Sequence, residues 1–169
     1  MLYDMHLTNF VQKFSYHCIL KHKNMIKVFE NKYAELYDMS DEIPHVLFGY
    51  WRGYWELSDT EAIKALQFPL DYVKEKGIKI MLTDYKDLDV VPEATNQWLS
   101  DYWFPTVVKN GLRAEIILDA NNLMGQLSVE FMYETVNKDT GLITPQVNNL
   151  EQGKVIARQL LEKWVRDAS

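Results

Sequence analysis

Four aspartates fall at or just beyond the carboxyl ends of runs that are typical of buried strands: Asp84, Asp87, Asp89 and Asp119. Open α/β sheets bind ligands at that edge, and clustered carboxylate oxygens suit a hard cation such as Mg²⁺. The alternative is that these side chains cap helices and solvate loops. No lysine and threonine set for phosphoryl transfer accompanies them, so we favour the structural role and expect neither a bound metal nor a cofactor.

Four large aromatic side chains crowd one predicted helix, at Trp98, Tyr102, Trp103 and Phe104. Within so few positions they cannot all face one side of a helix. Any that are exposed would mark a partner surface or the wall of a ligand pocket. The alternative is a core that buries this helix on two sides. The interaction hypothesis predicts that Trp103→Ala weakens self-association and leaves the fold intact.

Nucleophilic catalysis and acid–base catalysis find little support in the sequence. Cys18 directly follows His17, but adjacent residues on a helix point in different directions, and cysteine commonly packs as a small apolar side chain. Glu130 and Glu134 share one face of a predicted helix, where like charges four residues apart usually meet solvent. We therefore expect no catalytic residue.

The composition is that of one ordinary globular domain. Of 169 residues, 47% are apolar and 25% are charged, which is far from the profile of a disordered chain. The net charge of −6 is uneven, because residues 1–24 carry three lysines against Asp4, a net +2 that leaves −8 for the rest. An acidic body repels phosphate backbones, so we expect no nucleic-acid partner. A single cysteine and the lack of a long apolar run predict a cytoplasmic protein without a membrane span.

Residues 1–24 stand apart from the remainder of the chain. Their apolar side chains recur at helical spacing: Leu7, Phe10, Val11, Phe14 and Cys18. This stripe predicts a helical N-terminal extension that either binds a membrane surface or a partner, or covers an apolar patch of its own fold. Three lysines are few for a membrane anchor, so we favour the last of these. Residues 25–169 are predicted to form a single domain.

From about Val46 onward, short β-branched and aromatic runs alternate with amphipathic stretches of helical period. This alternation predicts an α/β domain with helices packed on a mainly parallel or mixed sheet. The predicted strands span residues 26–30, 33–37, 45–54, 78–83, 112–118 and 143–148. Helices are predicted to begin at a Ser58 capping box, after Pro92, at Ser128 as N-cap and at Asn149. Pro69 is expected to kink or break the first helix.

Several local sequences carry a family resemblance: Tyr50-Trp51-Arg52-Gly53, the strand end Asp84 with Leu88 after it, Trp98 to Trp103-Phe104-Pro105, and Gly111-Leu112. Over residues 25–164 the chain resembles small bacterial domains of the STAS/SEC14-like group, which is related in fold to the anti-sigma-factor antagonists of sporulation. The resemblance implies a mixed sheet of four or five strands flanked by helices, and a non-enzymatic role in protein switching or small-ligand sensing. The serine that is phosphorylated in the antagonists has no counterpart, since residues 85–89 offer only the phenol of Tyr85.

The favoured functional hypothesis is a cytoplasmic, non-enzymatic module, expected to be a homodimer, that binds a protein partner or a small apolar ligand. The residues predicted to take part are Asp84, Tyr85, Asp87, Trp98, Trp103, Phe104 and Asp119. The alternative is an enzyme that uses the strand-end carboxylates near Asp84 and Asp119 in a reaction that the residues do not identify. A deep polar pocket with strongly perturbed carboxylates would favour the enzyme, and a shallow acidic surface would favour the module.

Overall fold

The computed structural model describes residues 25–118, 120, 122–134, 136 and 140–169. The predicted N-terminal extension, residues 1–24, and the candidate site residue Asp119 lie outside the described residues. Within the described part of the chain, six strands form one sheet whose spatial order follows the sequence. They are β1 (Ile26–Glu30), β2 (Ala34–Asp38), β3 (Val46–Gly53), β4 (Ile80–Leu88), β5 (Ala114–Leu118) and β6 (Gln146–Val147).

The direction of strand pairing changes once across the sheet. β1, β2 and β3 pair antiparallel, whereas β3, β4, β5 and β6 pair parallel. Parallel neighbours require crossover connections, and helices supply them here. The predicted α/β class and mixed sheet are therefore confirmed, and the described sheet has six strands where the family resemblance implies four or five.

Helices connect the parallel strands and follow the last one. Their bounds are α1 (Thr60–Lys76), α2 (Glu93–Trp98), a π-helical turn (Leu99–Trp103), α3 (Phe104–Lys109), α4 (Leu123–Tyr133) and α5 (Leu150–Asp167). α1 lies between β3 and β4, α2 to α3 lie between β4 and β5, and α4 lies between β5 and β6. Among the described residues, no helix combines the length and apolar character that crossing a membrane would require.

The N-cap of α1 differs from the prediction, and of the two outcomes predicted for Pro69, a kink or a break, the break does not occur. The N-cap is Asp59 rather than Ser58, and the Asp59 carboxylate accepts a hydrogen bond from the backbone N–H of Glu61 at 2.9 Å. A carboxylate is also favoured there by the positive end of the helix dipole. Pro69 lies within α1 and does not break it, because buried side chains on both sides of the proline, such as Leu70, hold the helix on the sheet.

β4 is longer than predicted. The sequence predicts an end at Asp84, whereas the strand runs to Leu88 because its last residues pair with the end of β3, in the register Arg52 with Asp87. A bulge that begins at Tyr50 puts one extra residue into β4 at this point. Asp84 and Asp87 therefore lie within a strand rather than in a loop.

α4 begins before its predicted cap. Asn122 is the N-cap, and its side-chain oxygen accepts a hydrogen bond from the Gly125 N–H at 2.7 Å. Ser128 lies inside the helix, where its hydroxyl accepts from the backbone N–H of Val91 at 3.2 Å. The predicted cap at Ser128 is wrong because a serine hydroxyl also serves as an acceptor between elements.

Two apolar clusters occupy the two faces of the sheet. Side chains alternate along each strand, so that Met81 and Ile117 lie in the cluster with α1, α3 and α4, while Ile80 and Leu82 lie in the cluster with α5. The sheet is thus the middle of three layers. α5 buries Ala157 against its face of the sheet.

Candidate functional site

The outer flank of α4 is an exposed apolar surface. Its members are Leu123, Met124, Leu127 and Phe131, which are 69%, 55%, 49% and 56% exposed. At about 100° per residue these four positions fall within an arc of about 100° on the helix surface. An amphipathic helix of a monomeric domain normally places such an arc against its own core. We call these four residues the α4 flank.

The opposite side of α4 packs against the domain. Rotation of the helix to bury the α4 flank would therefore break these contacts. A Cβ atom added at Gly125 would lie 2.7 Å from the backbone oxygen of Leu88, which shows how closely the helix approaches β4. Asn122 also donates to that oxygen at 3.1 Å. Val129 and Met132 are buried in the core. The helix therefore has one apolar side in the domain and a second apolar side in solvent.

A buried acid lies near the C-terminal end of α4. Glu115 is 1% exposed, and its Oε1 atom accepts hydrogen bonds from Thr83 at 2.7 Å and from Tyr85 at 3.5 Å. The Tyr85 hydroxyl lies 2.9 Å from the hydroxyl of Tyr133 on α4. Burial raises the pKa of Glu115, and the hydroxyl donors oppose that shift. Sequence reasoning missed Glu115, although a single glutamate within an otherwise apolar strand is a signal that could have found it.

The opposite face of the sheet carries a charged and aromatic cluster around Tyr50. The Tyr50 hydroxyl donates to the Asp87 carboxylate, and the cations of Arg52 and Lys86 lie 5.3 Å and 5.1 Å from the centre of the Tyr50 ring. The Asp84 carboxylate accepts from the backbone N–H of Lys86 at 3.0 Å. The parallel pairing of β3 with β4 brings these residues together.

Arg52 also connects this cluster to β2. Its guanidinium donates to Glu35 at 2.8 Å and to the backbone oxygen of Asn31 at 2.9 Å. Burial raises the pKa of Glu35, but hydrogen bonds from Tyr37 and Arg52, together with the charge of Lys27, outweigh it and lower the pKa to about 2. Glu35 is therefore a fixed negative charge, which suits a structural ion pair better than proton transfer.

The structure distributes the predicted site residues over different places. Asp84 and Asp87 lie near Tyr50 on one face of the sheet, whereas Tyr85 points to the other face and is buried. Trp103 and Phe104 are both buried, and the Trp103 indole donates to the backbone oxygen of Leu66.

Trp98 is half-buried, and its ring centre lies 5.4 Å from that of the exposed Tyr102. The sequence argument that the four aromatic side chains cannot share one side is thus confirmed, since two are buried and Tyr102 is exposed. In the part of the chain that is described, no three His, Cys, Asp or Glu side chains are grouped so that they could hold a metal ion.

Comparison of the chain with protein-family models, with curated proteins and with solved structures finds no match. The likeness to the STAS/SEC14-like group therefore stays a prediction from the residues.

Proposed function

We propose that this protein is a non-enzymatic interaction module of the STAS-like kind that works by self-association, with the α4 flank as its contact surface. The observation that carries the proposal is the exposure of Leu123, Met124, Leu127 and Phe131 on a helix whose other side is already packed. Exposed apolar side chains that adjoin one another typically mark protein interfaces.

A second copy of the chain fits this surface because of the charge pattern along α4. The first turn of the helix has no acidic residue, and its only charged residues, Glu130 and the C-cap Glu134, lie in the second half. In an antiparallel pair related by a two-fold axis, the carboxylates of each helix lie beside the positive N-terminal end of the other. Leu127 lies near the middle of the helix and so would lie near the axis.

The described carboxylates near Asp84 have structural partners, which supports an interaction module over the alternative of an enzyme that uses Asp84 and Asp119. Asp87 is held by the Tyr50 hydroxyl, and Asp84 accepts a backbone hydrogen bond. Glu35 is held in an ion pair with Arg52. The pKa of Glu35 is lowered to about 2 by hydrogen bonds from Tyr37 and Arg52, which makes this carboxylate a weak general base.

The test is the oligomeric state of the full chain in a concentration series by analytical ultracentrifugation. The wild type is expected to be a dimer. Leu127→Glu is expected to raise its dissociation constant by about 30-fold or more, the factor for a central interface residue worth about 2 kcal/mol. Phe131→Glu is expected to act in the same direction.

The matched control is Val165→Glu on α5, because Val165 is 68% exposed and lies outside the α4 flank. This variant is expected to keep the wild-type dissociation constant. A monomeric wild type, or equal dimerisation of Leu127→Glu and Val165→Glu, contradicts the proposal. Trp103→Ala does not test this surface, because Trp103 is buried and its loss would destabilise the fold.

A further inference from the structure

The inner side of α4 covers a carboxyl group that the proposed contact surface does not use. Glu115 is the second of the five residues of β5, and its carboxyl group contacts Thr83 and Tyr85 on β4. Its network reaches α4 through the hydroxyl contact of 2.9 Å between Tyr85 and Tyr133. The last residue of the helix that carries the α4 flank thus belongs to the network of the buried acid.

The surroundings of Glu115 favour a protonated carboxyl group. Tyr85 is the titratable group that faces it from β4, and Tyr133 is the one that faces it from α4. Burial raises the pKa of both phenols well above the ordinary tyrosine value, so they stay uncharged. None of the ion pairs formed by the described residues includes Glu115. Its Oε2 atom is without a hydrogen-bond partner in this part of the chain.

Ionisation of Glu115 requires water to reach the carboxylate, because an unpaired charge in an apolar interior is strongly unfavourable. The smallest rearrangement that admits water is displacement of α4, which has 11 residues and carries Tyr133. Local opening of one surface helix costs less free energy than unfolding the sheet. The ionised state of Glu115 is therefore coupled to an opened α4.

We infer that Glu115 is a proton-sensitive switch beneath α4: the bound proton keeps the helix seated, and loss of the proton favours an opened helix that no longer self-associates. This inference rests on the self-association proposed above. The seated state binds the proton more tightly than the opened state, so raising the pH shifts the population towards the opened state. The opening constant is expected to rise by up to about tenfold per pH unit between the pKa of the hydrated carboxyl and that of the buried one, and then to level off.

Hydrogen exchange of the α4 amides in the full chain tests the switch, after correction for the intrinsic pH dependence of exchange. The wild type is expected to lose protection in α4 as the pH rises from the ordinary glutamate value of 4.5 through the raised pKa of Glu115, while β4 and β5 stay protected. Glu115→Gln is nearly isosteric and uncharged, so its α4 protection is expected to stay constant. Equal losses in the two proteins, or no loss in the wild type, overturn the inference.

Leu127→Glu separates failure of the switch from failure of self-association. In this background the Glu115-dependent opening is expected to persist in a monomer. A wild type that is monomeric at every pH and still opens in this way contradicts the proposed function alone. A dimer whose α4 protection does not depend on pH overturns the switch alone. Glu130→Gln is the control for surface carboxylates and is expected to keep the wild-type pH profile.

Infrared spectroscopy of the wild type keeps the inference testable if Glu115→Gln does not fold. A protonated carboxylic acid has a carbonyl stretching band that a carboxylate lacks. Because the pKa of Glu115 is raised above 4.5, this band is expected to persist after the bands of the exposed carboxyl groups have vanished, and to vanish itself as the pH rises further. A spectrum in which every carboxylic acid band vanishes together with those of the exposed carboxyl groups overturns the inference.

Discussion

Two glutamates on the same sheet have tyrosine hydroxyls as partners, and yet their pKa values shift in opposite directions. Burial raises the pKa of Glu35 on β2, but hydrogen bonds from Tyr37 at 2.5 Å and Arg52 at 2.8 Å help to lower it to about 2. Burial also raises the pKa of Glu115 on β5, where the described partners are hydroxyl groups and no cation. The hydrogen bond from Tyr37 contributes to the lowered pKa of Glu35, so the two sites differ in the cations Arg52 and Lys27 beside Glu35 and in the deeper burial of Glu115.

The two glutamates also lie on opposite faces of the sheet, with different consequences. Tyr37 belongs to the apolar cluster beneath α5, whereas Tyr85 belongs to the cluster beneath α4. Glu35 holds Arg52, which in turn donates to the backbone oxygen of Lys32 at 3.1 Å in the turn between β1 and β2. Glu35 is a permanent negative charge that stabilises the β1–β2 edge of the sheet through Arg52. Glu115 changes its charge only when α4 rearranges.

The largest effect is expected from reversing the charge at the two positions. Glu115→Lys places an unpaired cation in the apolar interior and is expected to lower the free energy of unfolding by about 3–5 kcal/mol. Glu35→Lys creates repulsion with Arg52 at a partly exposed site, and a smaller loss of about 1–2 kcal/mol is expected. Urea unfolding measures both. Equal losses would show that burial does not distinguish the two sites.

Removing the cation from Glu35 is the next largest effect. Arg52→Met leaves Glu35 and the backbone oxygens of Asn31 and Lys32 without their donor, at an expected cost of about 1–3 kcal/mol. The pKa of Glu35 is expected to rise from about 2, which NMR titration of the carboxyl carbon measures.

Lys27→Met is the matched control. Lys27 is an exposed partner at 3.4 Å, so its loss is expected to cost less than about 1 kcal/mol. An unchanged pKa in Arg52→Met would refute the role of the cation.

The smallest effect is a difference in how stability depends on pH. Glu35 has a lowered pKa, so its stabilisation is complete above the ordinary value of 4.5 and is lost as the pH falls towards about 2. Glu115 has a raised pKa, so the folded state loses stability as the pH rises from 4.5 through the raised value.

The free energy of unfolding of the wild type, measured relative to Glu35→Gln, is therefore expected to rise with pH between about 2 and about 4.5. The free energy measured relative to Glu115→Gln is expected to fall above about 4.5. Slopes of a few tenths to about 1 kcal/mol per pH unit are expected. Two slopes of the same sign would contradict the comparison.

Much of the fold is predictable from the residues because hydrophobic periodicity is a local property. Runs of apolar and aromatic residues predict each strand, and α1 ends at Gly77, which has a φ of 64° that glycine adopts without strain. The end of β4 is not predictable in this way, because its last residues are a strand only through pairing with β3. The start of α4 is ambiguous for a similar reason, since both Asn122 and Ser128 are residue types that cap helices.

The candidate site is less predictable than the fold. The aromatic residues Trp98 to Phe104 must divide between core and surface, yet the sequence does not say that Trp103 turns inward while Tyr102 stays exposed. Asp84 and Tyr85 are adjacent in the sequence, and both are predicted site residues. Because consecutive side chains of a strand lie on opposite faces of the sheet, the structure separates them. Leu123, Met124, Leu127 and Phe131 are ordinary core residues by type, and only the packing of the other side of α4 leaves them exposed.

The sequence by itself determined the α/β class, the alternation of strands and helices and the acidic character of residues 25–169, since each depends on residue type and local spacing. Only the tertiary structure decided which carboxyl group has a cation beside it and which side of α4 meets solvent. The physical reason is that contacts between residues far apart in the chain, such as Glu35 with Arg52 or Tyr85 with Tyr133, depend on strand register and helix placement. Neither quantity is a property of a local stretch of sequence.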